Sequence, residues 1–138
     1  MPLQVEIISA EGHLYSGQAS MVVAPAVEGE IGIAPQHAPL LTVMEPGELR
    51  VTEVGKAKGE EKIFFVGGGV LEVQPHAVTV LADNADRAGD LDEQAVRKAM
   101  EDAEAKLANQ NSDMEVAKAK AELMEAAARL RLVQKLRK

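Results

Sequence analysis

Apolar and polar positions alternate in short runs through residues 3–82, and turn residues separate these runs. Short strands that recur about every ten residues predict a β-sandwich or a flattened β-barrel. The runs are LQVEIIS, ASMVVAPAV, EIGIA, LLTVM, ELRVTEV, KIFFVG, VLEVQ and AVTVLA. The turn signals are Glu11-Gly12, Ser16-Gly17, Glu28-Gly29, Pro46-Gly47, Lys58-Gly59, the glycine triplet at 67–69 and Gln74-Pro75.

After Asp83 the apolar period becomes helical. Asp90 and Glu93 predict a capping box with Asp90 at the N-cap, and Ser112 with Glu115 predicts a second one. The sequence ANQN at 108–111 separates two apolar stripes, so the pattern predicts an antiparallel two-helix hairpin. The first stripe is Leu91, Ala95, Val96, Ala99, Met100, Ala103 and Leu107, and the second is Val116, Leu123, Leu130 and Val133 with Ala119, Ala126 and Ala127.

The change of period predicts an α+β chain with two domains, a β domain at residues 1–85 and a helical hairpin at residues 86–138. Alanine favours helix formation but buries little apolar area. The hairpin is therefore expected to be strongly helical and weakly anchored, which favours an arm that docks, detaches or extends. A permanently packed hairpin stays open as an alternative.

Charge is distributed unevenly along the 138 residues, whose formal net charge is −7. Residues 1–85 hold four Lys and Arg against eleven Asp and Glu, whereas residues 86–138 hold eleven of each. The acidic body argues against a nucleic-acid partner. The basic end, RLRLVQKLRK, suits an acidic partner surface or the negative end of a helix dipole.

The sequence contains little that predicts catalytic chemistry. The glycine triplet lacks the following Lys and hydroxyl of a phosphate loop, so a turn or bulge between strands is expected. The three histidines, His13, His37 and His76, lack metal-ligand spacing, and there is no cysteine. No catalytic site, metal or cofactor is expected, and neither a signal peptide nor a membrane-spanning run is apparent.

Five segments in this order resemble the epsilon subunit of bacterial F-type ATP synthase over essentially the whole chain. They are SAEGHLYSG (9–17), EGEIGIAPQHAPLL (28–41), PGELRV (46–51), GGGVLEVQPHAVTVLAD (67–83) and DLDE (90–93). The resemblance implies a ten-strand flattened barrel or sandwich followed by a two-helix hairpin. It also implies a non-catalytic rotor subunit of the central stalk, peripheral on the cytoplasmic face of the bacterial membrane and attached to it only through the complex.

The resemblance also implies partners and contact residues. The barrel would bind the gamma subunit and the proton-translocating ring, with Glu30 and His37 as ring contacts and Gly29, Gly32 and Pro35 shaping their loop. The helices would extend toward the catalytic alpha and beta subunits and slow ATP hydrolysis. The basic residues of this inhibitory arm are Arg129, Arg131, Lys135, Arg137 and Lys138.

Some members of this family bind ATP through a Leu/Ile-Asp-x-x-Arg-Ala motif. Leu91 and Asp92 match the motif, but Ala95 stands where it has arginine, so weak or absent ATP binding is expected. Arg97 would face away, about 200° around the helix. The alternative function is a stand-alone β ligand-binding module with a helical oligomerisation tail. Two observations argue against it: aromatic residues are scarce, and the hairpin lacks a long heptad seam.

Overall fold

The structure, a computed structural model, describes residues 2–57, 60–109 and 112–136. The chain divides into two compact units, Met1–Arg87 and Ala88–Lys138. The predicted turn at Lys58-Gly59, the last two residues of the ANQN break and the arm residues Arg137 and Lys138 lie outside the described residues.

The first unit is a closed β-barrel. Its strands are β1 Leu3–Ser9, β2 Gly12–Ala26, β3 Gly29–Ile33, β4 Leu40–Glu53, β5 Lys62–Gln74, β6 Ala77–Ala82 and β7 Ala85–Arg87. The hydrogen-bonded order is β1-β6-β5-β4-β2-β3, and a further β1–β2 pairing closes the barrel. Strand β1 pairs with β6 in parallel, and the other pairs are antiparallel.

The flattened-barrel prediction is confirmed, but the strand count depends on three long strands, of which β2 and β5 change partners along their length. The start of β2 pairs with β1 and its end with β3 and β4. Likewise, β5 pairs with β7 near its start and with β6 near its end. Counting β2, β4 and β5 twice gives the expected ten segments, although the described residues form seven continuous strands.

Several predicted turns lie inside these long strands. Ser16-Gly17 is within β2, Pro46-Gly47 is within β4, and the glycine triplet is within β5, so these turn predictions are wrong. The pairing of β4 with β5 keeps one register past both interruptions, from Met44–Gly69 to Pro46–Gly67. Gly and Pro inside a strand are typical of the local kinks that barrels need.

The glycine triplet is required by the backbone of the sheet. Gly68 and Gly69 have φ of +99° and +126°, in the region that L-residues rarely adopt. A Cβ on Gly69 would clash with the carbonyl oxygen of Leu81 and lie 2.8 Å from the Cα of Ala82. The triplet therefore lets the backbone of β5 adopt positive φ and approach β6 closely.

Alternating side chains fill the barrel interior. Its buried residues come from all the longer strands and are almost entirely aliphatic. The largest fully buried side chains in the cluster include Phe64, Leu3, Ile7, Ile33, Leu49 and Leu71. Such burial supplies the main driving force for folding of the barrel.

A polar network joins three strands around Tyr15. The Tyr15 hydroxyl donates a 2.6 Å hydrogen bond to Oε2 of Glu53, and Nζ of Lys62 lies 3.5 Å from the same oxygen. Nζ of Lys62 also lies 5.5 Å from the centre of the Tyr15 ring, and the centre of the Phe64 ring lies 5.3 Å from it. The hydrogen bond from Tyr15, followed by the charge of Lys62, lowers the pKa of Glu53, whereas burial raises the pKa of Tyr15.

The replacement Tyr15→Phe should destabilise the barrel in a pH-dependent way. A carboxylate whose pKa is lower in the folded state stabilises the fold above its unfolded-state pKa, about 4.5 for Glu53, and this contribution is lost as the pH falls. The difference in melting temperature between the natural chain and the variant should thus shrink below about pH 4.5. Thermal unfolding from about pH 7 to about pH 3 measures it, and a constant difference would contradict the assignment.

The second unit is a helical hairpin. A turn of 3-10 helix, Ala88–Asp90, precedes α1 Glu93–Asn109 and α2 Asp113–Leu136. Ala103 of α1 and Ala119 and Ala126 of α2 are buried, as the alanine pattern predicts. Nζ of Lys106, near the end of α1, lies 3.4 Å from Oε2 of Glu122, in the first half of α2, as expected for antiparallel helices.

Two details of the hairpin differ from the expectation. The N-cap of α1 is Asp92 rather than Asp90: its carboxylate accepts from the backbone of Gln94 at 3.1 Å, and Asp90 ends the 3-10 turn. Ser112 caps α2 as predicted, accepting from the backbone of Glu115 at 3.2 Å. The buried positions of α2 also include Ala128 and Leu132, whereas Val116, Leu123, Ala127 and Leu130 are only half-buried.

Candidate functional site

A row of apolar side chains crosses the outer face of the barrel. Because side chains alternate along a strand, Val43 on β4 points away from the core that Met44 enters. Val43 pairs with Val70 on β5, Val70 with Leu81 on β6, and Leu81 with Ile8 on β1. These four residues form one line across four adjacent strands, called here the outer apolar row.

Two of the four residues in the outer apolar row are exposed to solvent, and the other two, Val70 and Ile8, are half-buried. Val43 is 54% exposed and Leu81 is 47% exposed. Two further apolar residues extend the patch: Leu41 on β4 is 70% exposed, and the backbone of Val27 donates a 3.2 Å hydrogen bond to the Val43 carbonyl. Contiguous exposed apolar patches of this kind mark interaction surfaces, whereas isolated exposed residues do not.

Carboxylates lie beside the outer apolar row. The neighbouring cross-strand line joins Leu41 to Glu72, Glu72 to Thr79, and Thr79 to Glu6. Glu6 is held by hydrogen bonds from Gln4 and Ser16. An apolar centre with a polar rim is the usual anatomy of a protein-binding surface.

Glu30, one of the two expected ring contacts, belongs to an ionic cluster on the outer face. Gly29 allows the turn before it, with φ of +119°. Nη1 of Arg50 lies 3.0 Å from Oε2 of Glu30 and 2.9 Å from Oε1 of Glu48. The hydrogen bonds to Glu48 and then Glu30 raise the pKa of Arg50, so the guanidinium is a fixed charge here.

His37, the other expected contact, has different neighbours. The backbone of Gln36, with φ of +68°, donates a 2.7 Å hydrogen bond to the carbonyl of Pro75 in the β5–β6 turn. The ring of the half-buried His37 places Nδ1 2.7 Å from the carbonyl oxygen of Ala38. The loop that carries His37 is thus hydrogen-bonded to the β5–β6 turn, whereas Glu30 forms an ion pair with Arg50 on β4.

The loop-shaping residues are not equivalent in the structure. Pro35 lies in the loop that follows β3, but Gly32 lies within β3 itself. A Cβ on Gly32 would meet only the Met21 sulfur at 3.9 Å, an ordinary contact, and its backbone is not left-handed. Gly32 thus lies in the extended part of the 28–37 segment, and its role in shaping the loop stays a prediction.

The residues of the incomplete ATP motif line a cleft of about 280 Å³ between α1 and α2. Leu91, Asp92 and Ala95 border it, and Arg129 enters from α2. Arg97 points elsewhere and bonds Glu93 at 3.0 Å, so it does not replace the missing arginine. Asp92 already caps α1, and Arg129 lies 3.2 Å from Glu125.

We expect the isolated chain to bind ATP weakly or not at all, because the guanidinium at position 95 is missing. Installing it by Ala95→Arg should raise the affinity about tenfold, as a charge-assisted phosphate contact would. The matched control is Ala105→Arg, an exposed alanine of the same helix that does not line the cleft. Isothermal titration measures all three proteins, and micromolar affinity of the unchanged chain would refute the expectation.

The basic residues of the arm occupy two environments. Arg129 is half-buried in the cleft, whereas Arg131 and Lys135 are exposed on α2. Arg137 and Lys138 lie outside the described residues. Within the described parts of the chain, no helix is long and apolar enough to cross a membrane, and no group of three or more His, Cys, Asp or Glu residues could hold a metal ion.

The sequence did not point to the outer apolar row or to Arg50. Val43, Val70, Leu81 and Ile8 come from four separate runs, and only the strand register aligns them. The alternation of apolar and polar residues could have marked each one as outward-facing. It does not tell which residue of the adjacent strand each one pairs with, because the fold determines that pairing. The same holds for Arg50, whose partner Glu30 lies twenty residues away.

Comparison with known proteins gives one class. Residues 2–88 match the family described as "ATP synthase, Delta/Epsilon chain, beta-sandwich domain", and residues 90–134 match "ATP synthase, Delta/Epsilon chain, long alpha-helix domain". A chain in the Euglena gracilis mitochondrial ATP synthase has the same fold, with TM-score 0.76 and 19% identity over 92% of this chain and 78% of that one. A chain in the Tetrahymena thermophila mitochondrial ATP synthase central stalk/c-ring structure has a TM-score of 0.64 and 18% identity over 100% of this chain and 98% of that one.

Curated relatives narrow the class. The chain is 57% identical to the ATP synthase epsilon chain of Halorhodospira halophila, over 99% of this chain and 95% of that one. It is 54% identical to that of Thioalkalivibrio sulfidiphilus, over 100% and 96%. The chain belongs to the epsilon-chain family of bacterial F-type ATP synthase, as the sequence resemblance indicates.

Proposed function

We propose that the barrel docks on the gamma subunit of the central stalk through the outer apolar row. The observation that carries this proposal is the line of exposed and half-buried apolar side chains, which crosses four strands of a family member whose solved structural neighbours lie in ATP synthases. Burial of Val43 and Leu81 would supply the core of the interface. The flanking carboxylates Glu6 and Glu72 would lie at its rim.

The second proposed contact is with the proton-translocating ring, through Glu30 and His37. Glu30 is exposed and anionic, and it lies on an edge strand beside the β2–β3 turn. His37 lies on a loop secured by the Gln36–Pro75 hydrogen bond. Together these contacts would let the barrel transmit rotation between ring and gamma, with no catalytic site of its own, at the cytoplasmic face of the bacterial membrane.

Copurification tests the docking proposal. The full chain should remain bound to gamma and to the gamma–ring complex through size-exclusion chromatography. A photoreactive residue at position 30 should crosslink to the ring, and one at position 43 should crosslink to gamma. Elution of the chain by itself, or reversal of the two crosslinks, would reject the proposed arrangement.

The third part of the proposal concerns the hairpin, which would extend toward the alpha and beta subunits and restrain ATP hydrolysis. Its interface is built largely from small alanines, which contribute little area, and the interhelical ion pair between Lys106 and Glu122 is exposed. A hairpin held this weakly can open at modest cost. Arg131 and Lys135 would then meet acidic segments of the catalytic subunits.

Neutralising these two cations should weaken the restraint. In a reconstituted complex, the double change Arg131→Gln and Lys135→Gln should raise ATP hydrolysis about two- to tenfold, as expected for losing two exposed ion pairs. The control is Lys118→Gln with Lys120→Gln, which removes the same charge from exposed positions nearer the start of α2. Equal effects of the two double changes would show that only net charge matters.

A further inference from the structure

Arg50 connects an edge strand of the barrel to an inner strand. Among the described strands, β3 pairs only with β2, and β2 separates it from β4. Arg50 lies opposite Val23 on β2, while Glu30 lies opposite Pro25 on the same strand. The ion pair between Arg50 and Glu30 therefore reaches across β2, a backbone separation of about 10 Å for two strand spacings.

The cluster also orients the arginine. Glu48 precedes Arg50 by two residues and thus shares its face of β4, where it is mostly buried. The same Nη1 atom bonds Glu48 at 2.9 Å and Glu30 at 3.0 Å, although Glu30 is 57% exposed. Glu48 thus anchors the guanidinium on the barrel, and the guanidinium in turn holds one oxygen of the exposed carboxylate.

We propose that Arg50 is a positioning residue, which holds the Glu30 carboxylate in the orientation that a cationic group of the ring recognises. This rests on the proposed contact between Glu30 and the ring. Holding a side chain in its bound conformation lowers the entropic cost of binding. A residue that only neutralises Glu30 would have the opposite effect, because a cation beside Glu30 weakens its attraction for another cation.

The sign of one substitution separates these roles. Loss of the Arg50 charge makes the cluster more negative, so a mere neutraliser would bind the cationic group more tightly after Arg50→Gln. A positioning residue would bind it less tightly. The quantity to measure is the ring-dependent gain, defined as the ratio of the dissociation constant for purified gamma to that for the gamma–ring complex, with the full chain fluorescently labelled.

We expect Glu30→Gln to lower the ring-dependent gain about tenfold, because a charge-assisted contact is lost. Arg50→Gln should lower it about threefold in the natural chain and by less than about 1.5-fold when Glu30 is already Gln. Arg50→Lys should retain part of the gain, since it keeps the charge but not the planar donor group. Affinity for gamma alone should be unchanged in every variant.

The outcomes are distinguishable. If Glu30→Gln leaves the gain unchanged, the proposed ring contact fails and the role of Arg50 falls with it. If Glu30→Gln lowers the gain but Arg50→Gln raises it, leaves it unchanged, or lowers it equally in both backgrounds, only the positioning role is overturned. If Arg50→Gln disrupts folding or gamma binding, Arg50→Lys decides: full retention of the gain or loss of gamma affinity would also overturn the proposal.

Discussion

Replacing Val43 with glutamate is expected to weaken binding of gamma about 30- to 100-fold, equivalent to about 2–3 kcal/mol. Val43 is the β4 end of the outer apolar row, beside Val70, so the new carboxylate would be desolvated within the proposed interface. Burying a charge without a partner costs more than losing the methyl groups alone. Because Val43 is more than half exposed in the free chain, the fold should be unaffected.

Val54 provides the matched control for this substitution. It is 52% exposed, against 54% for Val43, and it follows β4 at the opposite end of the strand. Val54→Glu makes the same chemical change away from the outer apolar row. Titration calorimetry with purified gamma should therefore give natural affinity for Val54→Glu, and equal affinities for the two variants would remove the row from the interface.

The second large effect concerns stability. We expect Gly69→Ala to cost about 3–5 kcal/mol of unfolding free energy, enough to unfold many domains. Alanine would adopt φ near +126° only with strain, and its Cβ would collide with the backbone of Leu81 and Ala82. Neither backbone atom can move without breaking the pairing of β5 with β6.

Gly12→Ala isolates the strain from the collision. Gly12 has φ of +119°, close to that of Gly69, but nothing lies within 4 Å of a Cβ built on it. Its replacement should cost about 1–2 kcal/mol, the penalty for a left-handed L-residue. Urea unfolding of both full-length variants gives the difference, and equal costs would show that the close approach of β5 and β6 is not the reason for glycine at position 69.

Parts of this fold follow directly from local pattern. Strands β1 and β6 begin and end where the apolar runs LQVEIIS and AVTVLA do. Apolar and polar residues alternate regularly within these runs, and clear turn signals bound them. Ser112 likewise marks the start of α2, since its hydroxyl caps the helix locally. These features depend on neighbours within a few residues, which a single sequence displays.

Other parts depend on contacts that a single sequence does not display. Pro46-Gly47 and the glycine triplet resemble turns, yet the sheet carries β4 and β5 through them. Strand β7 has only three residues and no apolar period, so only its pairing with β5 in the barrel defines it as a strand. The expected domain boundary after residue 85 would cut through this strand. Asp90 and Asp92 are both plausible N-caps by type, and the backbone geometry selects Asp92.

The candidate sites divide in the same way. The sequence resemblance drew attention to Glu30 and His37, but it provided neither the ionic cluster around Arg50 nor the Gln36–Pro75 bond that holds the loop. The outer apolar row required the register of four strands. The surfaces could therefore be identified only from the pairing of the strands, whereas the strands and helices that carry them could be predicted from local pattern and resemblance.

ATP hydrolysis by the reconstituted F-type complex is the most direct test of the central claim, that the barrel docks and the hairpin restrains. The comparison is between the full chain and a chain ending at residue 87, after β7, so that every barrel strand is kept. The account predicts that the shortened chain stays in the complex through purification and that hydrolysis becomes several-fold faster. An unchanged rate with the shortened chain retained, or loss of that chain from the complex, would contradict it.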